Sequence, residues 1–501
     1  MKISHTLFFL LAALLPPLSA AVAQFDESNA AIQSELDVWQ GSSLGIRLDL
    51  ENPLPEIIEI YPHVKASSPF QVGDKILSIG ELSFPEATIT ELSGFLNDTK
   101  PGTDVTTKVT RNENELELKV EALRKEFVDI HAIHRRLSNN RIIEQHLEQT
   151  NRKDLLDKIT GRMATAVGQS NSPREASEAI NRIIDEIGVS HTAIIPSSAG
   201  LSFSATNKGG LGLLLQRHEF NGRVGYFVID KKPGSSSFDS DLLVGDEILT
   251  INNVPIAMSR RLDLSGHEDR YQLFKIDAKL NENVTIEYLR SPFDDSDTVQ
   301  IRTEKDPSTV GALRASAKTV RFNEMQIGYL RFWNLMTMAV NTELSKKVKT
   351  DFAECSAIIL DLRGRGGIVP AVMALNRSIK KIEKPVIVII DDLTRSAKEM
   401  LAYLLKKQEH VLVIGTKTAG AVTGATMMNL PSGNSLMFPV ASADSLKQFI
   451  DGTILEGVGV EPDERVEYFI PYSAGGDRLY ETALKRAAEL VIKRKATTIL
   501  D

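Results

Sequence analysis

The stretch Pro385–Leu405, PVIVIIDDLTRSAKEMLAYLL, does most to restrict what this chain can fold into. An apolar, β-branched run, Val386–Ile390, stops at a polar turn, Asp391–Arg395, and a helical pattern follows with Ser396 at its head. A strand that feeds directly into a helix is the unit of an α/β layer. A serine at that junction projects its hydroxyl at the edge of a sheet, beside the first free N–H groups of the helix. That suits a nucleophile, because the same helix end can stabilise a developing oxyanion. The bland reading is a capping box, Ser396-x-x-Glu399, in which the serine is only an N-cap.

The same alternation runs from Ala315 to about Val466. Ile327–Phe332 reads as a strand, Val340–Phe352 as a helix and Ala357–Asp361 as a buried strand. A glycine-rich turn, Arg363–Gly367, leads into a helix around Val372–Lys380; Val411–Ile414 is a further strand and Asp477–Lys495 a terminal helix. Upstream the pattern is different, and it repeats. Ser43-Leu44-Gly45-Ile46 precedes a strand (Ile57–Ile60) and then Val72-Gly73-Asp74-Lys75-Ile76-Leu77. Gly210-Leu211-Gly212-Leu213 precedes Val224–Ile229 and then Val244-Gly245-Asp246-Glu247-Ile248-Leu249. Each copy ends in alternating strands, Val105–Val109 with Leu116–Val120, and Val284–Tyr288 with Val299–Ile301. Ile89–Leu96 in the first copy is helix-like.

Both copies resemble PDZ domains. The resemblance implies that Ser43, Leu44, Gly45 and Ile46, and likewise Gly210, Leu211, Gly212 and Leu213, form loops that bind a peptide's terminal carboxylate. Glycine lets successive N–H groups converge there, and the adjoining strand edge would receive the peptide by β-addition. Between the copies, apolar residues recur at helical spacing (Ile130, Ile133, Ile142, Ile143, Leu147), with a break at Asn171–Pro173 and another helix through Ala176–Ile187. His131 and His134 could share a helix face there, but the sequence offers no further ligands nearby for a metal.

With 501 residues the chain has room for roughly three domains. A net charge of −8 without a long basic block argues against a nucleic-acid partner. Lys2, the apolar run Thr6–Leu15 and Ala21-Val22-Ala23 read as an export signal cleaved before Gln24. The run is too short to span a bilayer comfortably, so no stable membrane insertion is expected after cleavage and the mature protein is expected to be periplasmic or extracellular; an uncleaved anchor is the rival. Cys355 is the one cysteine, so no disulfide can form within the chain.

Five motifs of the α/β segment stand in the order of the tail-specific, or C-terminal processing, serine proteases: Ile327-Gly328-Tyr329-Leu330, Ile359–Gly367, Ser396-Ala397-Lys398-Glu399, Ile414–Gly420 and Gly457–Asp463. The segment is similar to that family, and within it looks more like the tricorn-core branch. The bacterial branch uses a lysine base just after the Thr-x-Gly element, and here that position is Ala421. The tricorn-like branch uses a histidine instead, and Ser190-His191 matches its Ser-His element. The resemblance therefore implies Ser396 as nucleophile, His191 as base, and Ser190 and Glu456 as its orienting groups, with Glu461 a rival to Glu456. Lys398 is a rival base, although two residues along a helix it points to another face. Backbone N–H groups of Gly366 or Gly367 and of Ala397 would form the oxyanion hole.

The fold expected is an α/β protease core of the crotonase-like kind, residues 310–501, with PDZ-like domains at 36–124 and 201–306 and a helical unit at 125–200 carrying Ser190-His191, after a signal at 1–23. The expected activity is that of a serine endopeptidase that cleaves proteins near flexible C-terminal tails, with no metal or cofactor required; a homo-oligomer is compatible with it. The alternatives are an inactive PDZ scaffold that binds protein C-termini, motivated by Ala421, and a hydrolase of non-peptide acyl substrates.

Overall fold

The computed structural model describes Trp39 and residues 41–50, 52–61, 67–196, 208–220, 222–268 and 271–500; the expected export signal lies outside them. The described chain divides into two compact units, one of residues 39–196 with 426–439, the other of 208–425 with 440–500.

The first unit begins with a β module. Its strands are β1 (Ile46–Asp49), β2 (Glu56–Ile60), β3 (Lys75–Ile79), β4 (Leu82–Ser83), β5 (Asp104–Arg111) and β6 (Asn114–Glu121), in the sheet order β1-β2-β3-β5-β6, with β4 paired to β3. Among the described residues β1 is an edge strand. Helix α1 (Ile89–Asp98) follows β4 and starts on a capping box made by Thr88 and Glu91. The Val-Gly-Asp signature has a physical basis here. Asp74 is buried, accepts the Gln71 N–H at 2.8 Å, and pairs with Arg111 at the end of β5 at 2.7 Å.

Four helices follow, α2 (Glu126–Ser138), α3 (Arg141–Gln149), α4 (Leu155–Gln169) and α5 (Pro173–Ile184). Their apolar stripes close on one core that includes Ile130, Ile133, Ile143, Met163, Val167 and Ile180. Asn140 caps α3 and Ser172 caps α5, the latter with proline at the first helical turn. His131 and His134 have carboxylate partners, Glu59 at 2.8 Å and Asp157 at 3.0 Å. After α5, strand β7 (Ala193–Ile195) pairs with Ser435–Met437.

The second unit begins with the other β module: β8 (Lys208–Gly210), β9 (Leu213–Phe220), β10 (Arg223–Lys231), β11 (Glu247–Ile251), β12 (Val254–Pro255), β13 (Leu262–Glu268), β14 (Tyr271–Lys279), β15 (Asn283–Leu289) and β16 (Asp297–Arg302). Asp246 repeats the role of Asp74, accepting from Leu243 N–H at 2.8 Å and pairing with Arg290 at 3.2 Å. One difference matters. Where the first module has α1, this one inserts the hairpin β13–β14, and β14 pairs antiparallel with β9, Leu273 opposite Gln216 and Phe274 opposite Leu215. The strand edge that the sequence reading leaves to a peptide is filled by the module's own chain. The Gly210–Leu213 loop is engaged too: Gly210 N–H reaches Glu304 O, and the carbonyls of Gly210, Leu211 and Gly212 accept from Ser236, Ser237 and Lys232.

The rest of the unit is an α/β layer. The sheet runs β17 (Lys318–Phe322), β18 (Met325–Arg331), β19 (Ala357–Asp361), β20 (Val386–Ile390), β21 (Val411–Gly415) and then Glu464–Arg465. β17 and β18 are antiparallel, and every later neighbour is parallel. Helices α6 (Thr309–Ser316), α7 (Ala339–Lys349), α8 (Val369–Ile379) and α9 (Ala397–Lys406) belong to this layer, as does the C-terminal helix Arg478–Leu500. β19 and β20 are buried along their whole length, which is why they read as continuous apolar runs rather than alternating ones, broken only by Asp361 at the end of β19. Ile358, Leu360, Val386 and Val388 face one core with α8 and α9. Ile359, Ile387 and Ile389 face another, closed by Leu479, Ala483 and Ala487 of the C-terminal helix.

Candidate active site

Parallel strands deliver their following loops to one sheet edge, where open α/β sheets bind ligands. Three loops meet there: 362–368 after β19, 391–396 after β20, and 416–421 after β21. Asp391 ties the first two together. Its Oδ1 accepts the Gly364 N–H at 3.0 Å and the Thr394 hydroxyl at 2.7 Å, and burial pushes its carboxyl up to about 6. Below this edge, Asp361 is fully buried and accepts from Tyr329 Oη at 2.7 Å and from Arg363 at 2.6 Å. Burial alone would raise Asp361, but the Arg363 and Arg331 guanidiniums outweigh it and hold the carboxyl well below the usual range. Arg363 also reaches Asp477, which fixes the root of the first loop to the C-terminal helix.

Ser396 sits at the junction of the second loop with α9, at φ 56° and ψ −130°. A non-glycine residue there is strained by about 1–3 kcal/mol and is held only by its surroundings. Its N–H donates to Ala421 O at 2.8 Å and to Glu399 Oε2 at 3.0 Å. The capping role that the sequence gives Glu399 is thus present, together with more: Glu399 Oε1 accepts the Thr418 hydroxyl and Gly420 N–H, both at 2.6 Å, and Oε2 the Ala421 N–H at 2.8 Å. Ala421, where the family resemblance leads one to look for lysine, is therefore a backbone neighbour of the serine and is fully buried.

Gly366 packs directly on the serine. A Cβ at position 366 would lie 2.6 Å from Ser396 Cβ, so only glycine fits. Leu335 holds the loop from behind, its N–H on Gly366 O and its carbonyl on Ile368 N–H, both at 3.0 Å. The N–H groups of Gly366, Gly367 and Ala397 have no hydrogen-bond partner among the described residues. Such free donors beside a serine are what an oxyanion needs.

Lys398, the rival base, has no exposed surface. Its Nζ donates to Phe332 O at 2.5 Å, Arg363 O at 2.8 Å and Trp333 O at 3.2 Å. Burial and the Arg331 charge push its ammonium down to about 7. Three carbonyls match the three donors of the charged form and leave no lone pair to take a proton. Glu456 accepts the N–H groups of Val422 at 2.7 Å and Thr423 at 3.0 Å, next to Ala421. Glu461 is on the surface, 3.2 Å from Lys417. In the other unit, Ser190 Oγ lies 3.0 Å from His191 Nδ1, and His191 has φ 60°. Asn181 of α5 pins the strand after it, accepting Ile194 N–H at 2.6 Å and donating to Ile194 O at 2.8 Å. Sequence reasoning missed the buried roles of Lys398 and Glu399. The signal was available: two charges in a stretch whose other members, Ala397, Met400, Leu401 and Ala402, are apolar.

Residues 371–466 match the family described as Peptidase family S41, and residues 42–122 match the PDZ domain family. A chloroplastic C-terminal processing peptidase of Tetradesmus obliquus is 24% identical over 278 residues, 48% of this chain and 56% of that protein. A carboxy-terminal-processing protease of Bartonella bacilliformis is 33% identical over 89 residues, 18% and 20% of the two chains. This chain thus spans about half the length of the first relative and a fifth of the second. A crystal structure of the tricorn protease aligns with 87% of this chain and 45% of its own, at 16% identity and a TM-score of 0.41.

Proposed function

We propose that this chain, which carries a peptidase family S41 domain and a PDZ domain, is an exported serine endopeptidase that cuts proteins near unfolded or flexible C-terminal tails. The observation that carries this reading is Ser396, strained at the head of α9 and packed against Gly366, with the N–H groups of Gly366, Gly367 and Ala397 unpartnered among the described residues. Ser396 Oγ attacks the scissile carbonyl and His191 Nε2 takes its proton, an imidazole being a suitable base near neutral pH. For Nε2 to accept, Nδ1 must carry the hydrogen. Its neighbour Ser190 Oγ can accept that hydrogen and pass its own O–H to a carboxylate, a role assigned to Glu456. The oxyanion takes hydrogen bonds from Ala397 N–H and from Gly366 or Gly367 N–H. The amine leaves with the proton from His191, and water then hydrolyses the acyl-enzyme.

The first β module is assigned the substrate tail, because β1 is an edge strand there and the Ser43–Ile46 loop leads straight into it. Export rests on the N-terminal sequence; no described helix is long and apolar enough to cross a membrane. The second reading, an inert tail-binding scaffold, is favoured by Ala421 alone. A peptide with a free C-terminus separates the two. Cleavage by the wild type that is lost in both Ser396→Ala and His191→Ala supports the peptidase. Binding without cleavage leaves the scaffold, and cleavage that survives in His191→Ala removes the assigned base.

A further inference from the structure

Lys398 and Glu399 immediately follow the nucleophilic turn, both are wholly buried, and neither moves a proton in the mechanism above. They reach opposite ways. Lys398 grips Phe332 O, Trp333 O and Arg363 O, on the side of the loop that carries Gly366 and Gly367. Glu399 grips Thr418, Gly420 and Ala421 on the other side, and the N–H of Ser396 itself. Adjacent residues of one helix turn thus fasten the nucleophile to both flanking loops.

Resting on the reading of Ser396 as nucleophile, we propose that Lys398 and Glu399 are positioning residues: a two-sided brace that holds the strained Ser396 turn at its working distance from the oxyanion donors. The chemistry of each group fits its task. A carboxylate has two oxygens with room for two donors each, and Glu399 receives four. A glutamine of the same shape has one acceptor oxygen, and its NH₂ would face two of those donors. An ammonium has three N–H groups, and Lys398 meets three carbonyls. The brace also accounts for how a serine can keep φ 56°. Its N–H is shared between Ala421 O and Glu399, so relaxing the turn breaks both bonds.

The test compares wild type, Glu399→Gln and Thr418→Val in the full chain by steady-state peptide cleavage, by the rate of fluorophosphonate labelling of Ser396, and by thermal melting. Glu399→Gln should lower kcat and the labelling rate together by about 100-fold, the usual effect of a small misplacement of reacting groups, with KM within about threefold of wild type. Thr418→Val removes one donor of four and should lower both rates by about three- to tenfold. Lys398→Met leaves three buried carbonyls without a donor and can fail to fold, so Lys398→Arg stands in for it; a longer, planar cation should slow labelling without raising KM. A Glu399→Gln enzyme that melts earlier but turns over normally while folded would make the residue merely structural and overturn the proposal. A wild type without Ser396-dependent labelling would instead remove the nucleophile reading, and the brace with it.

Discussion

The two β modules share a signature and a scaffold but differ at the groove. In both, Val-Gly-Asp places a buried aspartate under a turn and pairs it with an arginine at the end of a later strand or just past it, Asp74 with Arg111 and Asp246 with Arg290. In both, a Leu-Gly loop leads into a strand, β1 or β9, and its leucine, Leu44 or Leu211, is buried in the module core. The segment inserted before the last hairpin decides the rest. The first module inserts α1 and leaves β1 at the sheet edge; the second inserts β13–β14, and β14 occupies the edge of β9. A shared signature therefore reports the scaffold and says nothing of whether the groove is vacant.

The largest effect that tests this contrast is on stability. Phe274 is wholly buried in the strand that fills the second groove, so Phe274→Ala should cost about 3–5 kcal/mol in chemical denaturation. A loss below 1 kcal/mol would mean that β14 is only loosely seated. Next come the arginine pairs. Arg111 is 20% exposed and meets Asp74 at 2.7 Å, whereas Arg290 is 36% exposed and meets Asp246 at 3.2 Å. Arg111→Ala should cost about 2–3 kcal/mol, below the full figure for a buried pair because of that exposure. Arg290→Ala should cost about 1 kcal/mol, and equal losses would erase the distinction.

Binding sharpens the contrast further. Gly45 has φ 68° ahead of the open edge, and Gly45→Val should raise KM for a peptide with a free C-terminus about tenfold, the worth of one lost charge-assisted hydrogen bond. Gly212→Val should leave KM of the folded enzyme unchanged and lower its melting temperature, since a Cβ there would lie 2.2 Å from Ser235. The reverse pattern would assign the tail to the second module.

The smallest effect is a difference of sign with pH. For Asp74, burial raises the carboxyl, but Arg111 and the Gln71 N–H outweigh it and hold it below its ordinary value. Its stabilisation is complete above the unfolded pKa of about 4 and is lost as pH falls through the folded one. For Glu247 of the second module, burial outweighs Tyr472 and Arg223 and raises the carboxyl. There the folded state holds the proton more tightly, so stability falls as pH rises from about 4 toward the folded pKa. Hydrogen exchange followed at the turn around Asp74 and at the strand around Glu247 on acidification should show protection falling at the first and not at the second; parallel losses would contradict both assignments.

The sequence made the local elements legible and the long-range ones not. Val386–Ile390 and Ala357–Leu360 are unbroken apolar runs because helices cover both faces of the sheet, and they could be read directly as buried strands. The repeat was visible because turn chemistry at Val-Gly-Asp is local. Nothing local says that Leu273 and Phe274 pair with Gln216 and Leu215, more than fifty residues away, so the filled groove was invisible. At the site, Ser396 and Gly366–Gly367 stood out as a helix head and a glycine turn. Glu399 was read as a cap because one of its four bonds, that to Ser396 N–H, is a local pattern, while the bonds to Thr418, Gly420 and Ala421 depend on how β21 lies beside β20.

The central claim is that Ser396 is an activated nucleophile with His191 as its base. Fluorophosphonate labelling of the purified mature chain, with Ser396→Ala and His191→Ala beside it, tests this most directly. Labelling of the wild type that is lost in both variants is the result expected. Labelling that persists in His191→Ala would contradict the assigned base. No labelling of the wild type, with or without a tail peptide present, would contradict the nucleophile and leave a scaffold that binds protein C-termini.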